Sequence, residues 1–299
     1  MRVFLLLLAL LAPAQAAEFK LATWNIAWAT LRGPDDRAVP RDVPRRSEAD
    51  WALLRQYAAR LEADIIAFQE VDGPEAGQKI FDERAYTLVF PAENDIQRAG
   101  FAIRRSLRVT QNADLAGLDL RPQARYSLRR GTDVTVEVAG TPLRLLSIHL
   151  NAGCREEALS SSQQCDSLAQ QSDILADWIA ARQREGVAFA ILGDFNRRFM
   201  SAGDEFAARL NQAAPLTRAT EGYSNPCFAD ARGGRPFIDH ILLGGAARGW
   251  LINNSMRVMV YAERDARARE RLSDHCPVSV RIRTCLLYTS PSPRDRTRS

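Results

Sequence analysis

The stretch Ile191-Leu192-Gly193-Asp194-Phe195-Asn196 decides the fold of this chain of 299 residues. The apolar run from Phe189 to Leu192 predicts a buried strand, and a carboxylate and a carboxamide follow at its carboxyl end. Open α/β sheets usually build their sites at that end of their strands. Asp194 can accept a proton or orient water, and Asn196 can donate hydrogen bonds to an oxyanion without adding charge. Because Gly-Asp is also common turn chemistry, the rest of the chain must support this interpretation.

Further apolar runs on both sides of this stretch predict a chain rich in strands. Residues 19–26 alternate between apolar and polar side chains, as a half-buried strand does. The runs 132–138 and 143–148 predict a hairpin with its turn at 139–142. The predicted strands are 19–26, 64–68, 86–90, 100–103, 132–138, 143–148, 189–192, 237–243 and 277–282.

Two helices and one long connection complete the predicted layout. Ser47, followed three residues later by Asp50, predicts a helix N-terminus. Apolar residues from Leu168 to Ile179 recur at helical spacing and predict a long amphipathic helix. The connection 29–46 is rich in Pro, Asp and Arg, and so long a connection is more often functional than idle. Strands outnumber helices, and no repeat or linker divides the chain, which favours two packed sheets flanked by helices.

Both chain ends differ from the middle in composition. Residues 1–16 combine Arg2, an apolar run and Ala14-Gln15-Ala16, which predicts a cleaved signal peptide. That run is too short to span a bilayer, so we expect no stable membrane anchor. Residues 285–299 form a Ser/Pro/Arg tail that we expect to be non-native or disordered. The remaining segment, 17–284, is expected to be a single secreted or periplasmic domain and a monomer.

The net charge gives little information about partners. The whole chain carries +4, of which the tail contributes +2 and Arg2 contributes +1, so residues 17–284 retain only +1. This balance is poor evidence for nucleic-acid binding.

Four cysteines remain when the tail is set aside. An even number in an exported protein predicts disulfides. Cys154 and Cys165 bracket a polar loop and are the favoured pair. Cys227 with Cys276 is the weaker pairing, because Cys276 is alternatively a small core residue. No cysteine pair has C-x-x-C spacing, which disfavours a zinc site.

Six polar clusters occur at the ends of the predicted strands. In chain order they are Trp24-Asn25, Gln69-Glu70, Ser147-Ile148-His149-Leu150, Gly193-Asp194-Phe195-Asn196, Ile238-Asp239-His240 and Ser273-Asp274-His275. In this order and spacing the set resembles the endonuclease/exonuclease/phosphatase superfamily over essentially residues 18–284. The resemblance implies an α/β fold, a four-layer α/β/β/α sandwich with two packed mixed β-sheets flanked by helices. It also implies metal-dependent hydrolysis of phosphoesters by activated water.

The resemblance assigns a metal site to three of these residues. Glu70 would be the main carboxylate ligand of Mg²⁺, a hard ion that takes oxygen ligands and keeps several waters. Asn25 would help to place the metal and the phosphate, and Asp274 would add a second carboxylate near them. Mn²⁺ and Ca²⁺ are alternative ions.

The resemblance assigns the catalytic chemistry to five further residues. Asp194 would orient or deprotonate the attacking water, and Asn196 would bond the phosphoryl oxygens in the transition state. His275 would contact the phosphate or transfer a proton, oriented by Asp239 in a carboxylate–imidazole pair. His149 would serve as general acid or as a phosphate contact.

Several neighbouring residues have a structural interpretation beside a functional one. Arg197 and Arg198 are candidates for gripping a substrate phosphate, and equally for surface arginines. The pair Arg129-Arg130 is expected on a solvated face. His240 alternates with Asp239 along a strand, so we expect it to face away from the site as a structural histidine. Ser273 is expected to be a turn or cap residue rather than a nucleophile.

The favoured function is an exported, divalent-metal-dependent phosphodiesterase, specifically an endonuclease acting on nucleic acid. The alternative is a lipid or small-molecule phosphoesterase with the same active site, sphingomyelinase-like or inositol-phosphate phosphatase-like. A sphingomyelinase-like enzyme would normally use an exposed aromatic or apolar membrane-contact loop, and the connection 29–46 is too polar to supply one. Inositol-phosphate phosphatases usually carry Trp-Cys-Asp-Arg where this chain has Phe237-Ile238-Asp239-His240. A non-catalytic binding module would have lost some of the polar positions, and none is missing.

Overall fold

The computed structural model describes residues 17–33, 35–122, 128–199, 203–227, 234–263 and 265–284. The predicted signal peptide, 1–16, and the predicted tail, 285–299, lie outside these ranges. The elements in chain order are β1 (Glu18–Ala29), α1 (Glu48–Leu61), β2 (Ile65–Val71), α2 (Gly73–Ile80), β3 (Tyr86–Val89), β4 (Arg98–Arg104), β5 (Val109–Gln111), β6 (Thr132–Val138), β7 (Thr141–His149), α3 (Gln163–Glu185), β8 (Ala188–Asp194), α4 (Glu205–Ala213), β9 (Leu216–Arg218), β10 (Asp239–Gly244), β11 (Arg257–Val258), α5 (Ala266–Leu272) and β12 (Val278–Arg283).

The strands form two six-stranded sheets. The first sheet has the order β11-β12-β1-β2-β4-β3, and the second has the order β5-β6-β7-β8-β10-β9. In each sheet one pair is parallel, β1 with β2 and β7 with β8, and the chain crosses between its members through α1 and α3. The other pairings are antiparallel, so both sheets are mixed.

Side-chain alternation along the strands produces three apolar layers. Leu21, Leu145 and Leu192 belong to the layer between the two sheets. On the outer face of the first sheet, Trp24 packs in one cluster with Trp51 and Leu54 of α1. On the outer face of the second sheet, Phe189 packs against the α3 residue Trp178 with ring centroids 5.6 Å apart. The predicted four-layer α/β/β/α sandwich is therefore confirmed.

Local predictions agree with the structure except at a few boundaries. Ser47 and Asp50 form the predicted capping box of α1. The hairpin turn contains only Ala139 and Gly140, both with positive φ, whereas Thr141 and Pro142 belong to β7. A two-residue turn of this kind matches the twist of the flanking strands. The strand β10 begins at Asp239, two residues later than predicted.

Among the described residues, two disulfides link segments of the second half of the chain. The predicted Cys154–Cys165 bond is present, and Cys227–Cys276 is present as well. Disulfides of this kind persist in oxidising environments such as the periplasm or the extracellular medium. Among the described residues no helix has both the length and the apolar character needed to cross a membrane.

Gly193 lies inside β8 rather than in a turn, which corrects the turn interpretation of Gly-Asp. Its backbone stands between Ile148 of β7 and His240 of β10 in the sheet register. A Cβ atom at this position would overlap the carbonyl oxygen of Ile148. The glycine therefore allows the parallel strands β7 and β8 to approach closely, one residue before His149 and Asp194.

We expect Gly193→Ala to lower the free energy of unfolding by about 1–3 kcal/mol, the usual cost of overpacking. Denaturant unfolding of the oxidised protein measures this change. Gly249→Ala is the matched control, because a Cβ there meets no atom within 4 Å. Equal stability of the two variants would contradict the close-approach argument.

Candidate active site

All six predicted clusters meet at one end of the two sheets. Asn25 and Glu70 lie near the carboxyl ends of β1 and β2, and His149 and Asp194 terminate β7 and β8. Asp239 begins β10 and His275 lies just before β12. Because β10 and β12 run antiparallel to their neighbours, the start of each lies beside the neighbour's end. The topology therefore gathers residues distant in sequence into one site.

In the second sheet the register places three site residues in a row. Asp194 pairs with His149 on one side and with Asp239 on the other. Residues directly opposite each other on neighbouring strands project to the same face of a sheet. The side chains of these three residues consequently share the face that looks toward the first sheet.

In the first sheet, irregular backbone directs Glu70 into the site. The register of β1 and β2 shifts near these residues, and Ala27, Trp28 and Glu70 have φ values of 42°, 52° and 60°. Such left-handed conformations are uncommon for residues other than glycine, and β-bulges often re-aim side chains beside active sites. The strain is thus located at the residue predicted to be the main metal ligand.

Three neutral donors hold the Glu70 carboxylate. Oε1 accepts from Asn25 Nδ2 at 2.9 Å, and Oε2 accepts from the Trp28 backbone N–H at 2.9 Å and from Gln97 Nε2 at 2.6 Å. A carboxylate has about four lone-pair sites, so one remains for a further ligand. Gln97 carried no signal in the sequence, because it lies outside every cluster.

Asn25 connects the two sheets. Its Nδ2 also donates to Asp194 Oδ2 at 3.0 Å, while its Oδ1 accepts from the Ala27 backbone N–H at 2.9 Å. One amide nitrogen therefore bonds one carboxylate from each sheet. In this arrangement Asn25 organises the carboxylates, and direct ligation of a metal by Asn25 stays a prediction.

His275 and Asp239 form the expected carboxylate–imidazole pair. His275 Nδ1 lies 2.8 Å from Asp239 Oδ2, and its Nε2 lies 3.8 Å from Asp194 Oδ2 and 3.9 Å from Asp274 Oδ1. Burial opposes the charged ring, but the carboxylates of Asp239, Asp194 and Asp274 outweigh it and hold the pKa of His275 well above its ordinary value.

The backbone around His275 is fixed by hydrogen bonds. The Ser273 hydroxyl donates to the Asn25 carbonyl at 2.8 Å and accepts from the His275 backbone N–H at 3.0 Å. The Tyr261 hydroxyl donates to the His275 carbonyl at 2.8 Å and accepts from Trp24 Nε1 at 2.8 Å. Ser273 thus acts as the turn residue that its sequence context suggests.

His149 is buried between the two central carboxylates. Its Nε2 lies 3.6 Å from Glu70 Oε1 and 3.7 Å from Asp194 Oδ2. Burial, aided by the charge of Arg129, holds the pKa of His149 well below its ordinary value. Burial also raises the pKa of Asp194 above that of an ordinary aspartate. Burial thus favours the neutral form of His149, whereas the neighbouring carboxylates favour the protonated form of His275. The two histidines therefore suit different roles, with His275 the better proton donor.

Asn196 turns the chain away from β8 with a φ of 50°. Its backbone N–H donates to Asp194 Oδ1 at 2.8 Å, and its Nδ2 donates to the Leu150 carbonyl at 3.0 Å. One hydrogen of the amide is therefore already used, and a contact of the other with a phosphoryl oxygen stays a prediction.

The two arginines after Asn196 have different environments. The Arg197 guanidinium is only 2% exposed and bonds Asp204 at 2.8 Å and the carbonyls of Cys154 and Glu157. This corrects its assignment as a substrate contact, because a phosphate has no access to it. Arg198 pairs with Glu156 and lines a cavity beside His275, so it remains a candidate.

His240 faces away from the site, as its alternation with Asp239 suggests. Its Nδ1 lies 2.7 Å from Thr220 Oγ1, and its Nε2 lies 3.0 Å from the Arg197 carbonyl. Burial lowers the pKa of His240 to about 3, so the ring is neutral and structural.

Arg46, at the end of the long connection, is a residue that the sequence analysis missed. Its guanidinium donates to five backbone carbonyls at 2.7–2.9 Å, those of Ile26, Ala27, Trp28, Arg271 and Leu272. It therefore joins the strained backbone beneath Glu70 to the turn that carries His275. Burial lowers the pKa of Arg46 to about 10, which still leaves the side chain charged at neutral pH.

The donor set of the site fits a hard divalent cation. The carboxylates of Glu70 and Asp194 share the Asn25 Nδ2 donor, and the Asp194 and Asp274 carboxylates lie 3.8 and 3.9 Å from His275 Nε2. The site contains more carboxylates than cationic side chains. Mg²⁺, Mn²⁺ and Ca²⁺ prefer such oxygen ligands. Glu70 retains one lone-pair site, so the residues present can hold such an ion.

Comparison with known proteins identifies relatives of this arrangement. A model of the Endonuclease/Exonuclease/phosphatase family matches residues 22–275. No curated protein sequence matches the chain. Among solved structures, an endonuclease/exonuclease/phosphatase family protein from Bacteroides thetaiotaomicron is 14% identical with a TM-score of 0.58, and the match covers 91% of this chain and 100% of that one.

Two further solved structures carry more specific names. D. rerio TDP2, complexed with single strand DNA product, is 16% identical with a TM-score of 0.57, over 90% of this chain and 100% of that one. A mannosyl-6-phosphatase from Bacteroides thetaiotaomicron VPI-5482 is 13% identical with a TM-score of 0.56, over 89% of this chain and 100% of that one. At these identities the likenesses show the fold.

We expect Arg46→Met to lower the free energy of unfolding by about 2–4 kcal/mol, because several carbonyls lose a charged donor. We also expect at least a roughly tenfold lower kcat on bis-(p-nitrophenyl) phosphate, because the supports of Glu70 and His275 shift. Arg55→Met is the matched control, since Arg55 donates to the Gln78 and Lys79 carbonyls at an exposed site. If both variants keep full activity, Arg46 does not position the site.

Proposed function

The chain belongs to the Endonuclease/Exonuclease/phosphatase family of metal-dependent phosphoesterases, and we propose that it is an exported nuclease that cleaves phosphodiester bonds with Mg²⁺. The family match and the carboxylate-rich site support the reaction class. The choice of a phosphodiester, and of nucleic acid, rests on the surroundings of the site.

The observation that carries the proposal is that a cavity opens on each side of the site. On the His275 side a cavity of about 200 Å³ is lined by Asp239, Asp274, His275 and three arginines, Arg155, Arg198 and Arg235. On the Glu70 side a cavity of about 980 Å³ includes Trp28 and Gln97, which both bond Glu70. A phosphodiester has two substituents, and an arrangement with room on both sides of the phosphorus suits it.

In the proposed mechanism Glu70, with Asp274 as a second carboxylate, would hold the divalent ion. When bound, the ion would neutralise charge on the phosphate and polarise it for attack. Asp194, held by Asn25 and by the Asn196 backbone N–H, orients the attacking water and accepts its proton.

The remaining residues act on the phosphate and on the leaving group. His275 donates a proton to the leaving oxygen from Nε2 while Asp239 fixes Nδ1 and the orientation of the ring. His149 contacts a phosphoryl oxygen, and Arg198 neutralises phosphate charge on the His275 side.

Nucleic acid is favoured over the alternative substrates. The larger cavity is lined mainly by polar and charged residues, which suits a nucleotide and not an acyl chain. The TDP2 relative was solved with single strand DNA product, which is consistent with this choice. A small sugar-phosphate substrate is the alternative, since one relative is named a mannosyl-6-phosphatase and the smaller cavity contains three arginines.

Export and a monomeric state complete the proposal. The two disulfides favour an oxidising compartment, and the composition of residues 1–16 supplies a route to it.

The first test uses the full chain, expressed with export, on supercoiled plasmid with Mg²⁺ or EDTA. We expect nicking with Mg²⁺ that EDTA abolishes, and a loss of at least about 100-fold in Glu70→Gln. Glu75→Gln is the control, because Glu75 is exposed on α2. Hydrolysis of bis-(p-nitrophenyl) phosphate without nicking would overturn the nuclease assignment and retain the phosphoesterase site.

Asp239→Asn tests the proton-donor assignment of His275. We expect kcat on bis-(p-nitrophenyl) phosphate to fall by about 100-fold or more with little change in KM, because the ring loses the carboxylate that orients and charges it. Asp82→Asn, at an exposed turn, provides the comparison. An unchanged kcat would remove Asp239 from the catalytic machinery.

A further inference from the structure

The Glu70-side cavity adjoins the site directly and has its own set of polar groups. Trp28 and Gln97 line it and bond the Glu70 carboxylate. Arg129 lines it as well, and its Nη2 donates to the Leu150 carbonyl that also accepts from Asn196. A molecule in this cavity therefore contacts Trp28 and Gln97, which bond Glu70, and Arg129, which shares the Leu150 carbonyl with Asn196.

Two groups in the cavity wall have hydrogen-bonding capacity that the described structure does not use. Arg129 is only 8% exposed, and its Nε has no hydrogen-bond partner. Glu93 bonds the Arg130 backbone N–H through Oε2, while its Oε1 is buried and without a partner. Burial raises the pKa of Glu93 to about 7, with Asp95 and Asp119 adding to the effect and Arg130 opposing it. Buried polar atoms without a hydrogen-bond partner are rare in folded proteins, and a bound ligand can supply the missing partner.

Among the described residues, the charges that line the cavity nearly balance. Four arginines, Arg32, Arg37, Arg129 and Arg130, line it together with Glu93, Asp95 and Asp119. Arg32 is already engaged by Asp72 and Asp36, and Arg130 Nη1 donates to the Ala92 carbonyl. Binding along a duplex needs a surplus of positive charge over many phosphates, and the described residues that line this cavity do not supply it. A single nucleotide with one phosphate suits this nearly neutral lining better than a duplex does.

The shape and lining of the cavity point to an unpaired base. Its volume of about 980 Å³ accommodates a nucleoside, and the half-buried Trp28 supplies an aromatic surface next to Glu70. Aromatic side chains bind unpaired bases by stacking, and carboxylate and amide side chains bond the polar edges of such bases. A base within a duplex is stacked and paired, so it reaches a concave site only after extrusion.

We propose that the Glu70-side cavity binds one unpaired nucleoside next to the scissile phosphate, with Trp28 stacking on the base and Glu93 bonding its polar edge. The buried Arg129 guanidinium supplies positive charge beside the adjoining phosphate. The enzyme consequently prefers single-stranded or unpaired nucleic acid to intact duplex. This inference rests on the proposed nuclease function and adds to it the strandedness of the substrate.

The test compares a fluorescein-labelled ten-residue oligothymidylate with a labelled ten-base-pair hairpin. Binding to the full chain is followed by fluorescence anisotropy in EDTA, and hydrolysis is followed with Mg²⁺. We expect the wild-type protein to bind and cleave the single strand at least about tenfold better than the hairpin. Trp28→Ala and Glu93→Ala are each expected to weaken single-strand binding by about tenfold, and Trp28→Phe to retain most of it because the ring is preserved.

Glu75→Ala, on the exposed face of α2, is the matched control for Glu93→Ala. The inference is overturned if the hairpin is bound and cleaved as well as the single strand, if the single strand is not bound in EDTA, or if Glu93→Ala and Trp28→Ala both bind it as wild type does. The proposed function fails separately if the wild-type protein cleaves neither oligonucleotide nor plasmid with Mg²⁺. Cleavage of both oligonucleotides at equal rates retains the nuclease and removes the subsite.

Discussion

The structure depends on bringing carboxylates from two separate sheets into one small volume. Glu70 belongs to the first sheet and Asp194 to the second, and Asn25 Nδ2 bonds both at 2.9 and 3.0 Å. Like charges this close repel, and the burial of Asp194 adds to the cost. A neutral donor between them and a cation beside them are the physical means of offsetting that repulsion. The surrounding residues serve to keep this contact in place.

The support comes from both layers of the sandwich. Between the sheets, Gln69 Nε2 of β2 bonds the Ser147 hydroxyl of β7, and the Thr132 hydroxyl of β6 donates to the Ala99 carbonyl of β4. Below the first sheet, Arg46 bonds the irregular backbone of β1 and the turn before His275. Buried polar networks of this kind hold a geometry firmly when every member is satisfied. The left-handed conformations at Glu70 and Asn196 persist because such contacts surround them.

The sequence was sufficient for the layers, for the longer strands and for the six clusters, since alternation and strand-end polarity encode them locally. It did not predict the short strands β5, β9 and β11 or the short helices α2, α4 and α5. It could not reveal which of two neighbouring arginines faces the site, because the answer depends on the left-handed turn at Asn196. Nor could it identify Arg46 or Gln97, whose partners lie in other elements and follow no periodic pattern. Arg129 was expected on a solvated face, yet it is buried and donates to the Leu150 carbonyl. These residues depend on tertiary contacts, and a single sequence contains no local signal for them.

The first sheet is assembled from both ends of the domain, with β12 paired to β1 from Glu18 opposite Arg283. The Thr284 backbone N–H donates to the Ala17 carbonyl at 3.3 Å, so the two ends of the described domain touch. Asn25 lies eight residues further along β1, a distance of about 25 Å at the usual rise of a strand. Labels, immobilising linkers or fused partners placed next to Ala17 or Thr284 would therefore lie on the side of the domain opposite the candidate active site. The same adjacency makes the domain a suitable scaffold for circular permutation, with new ends opened in a surface loop.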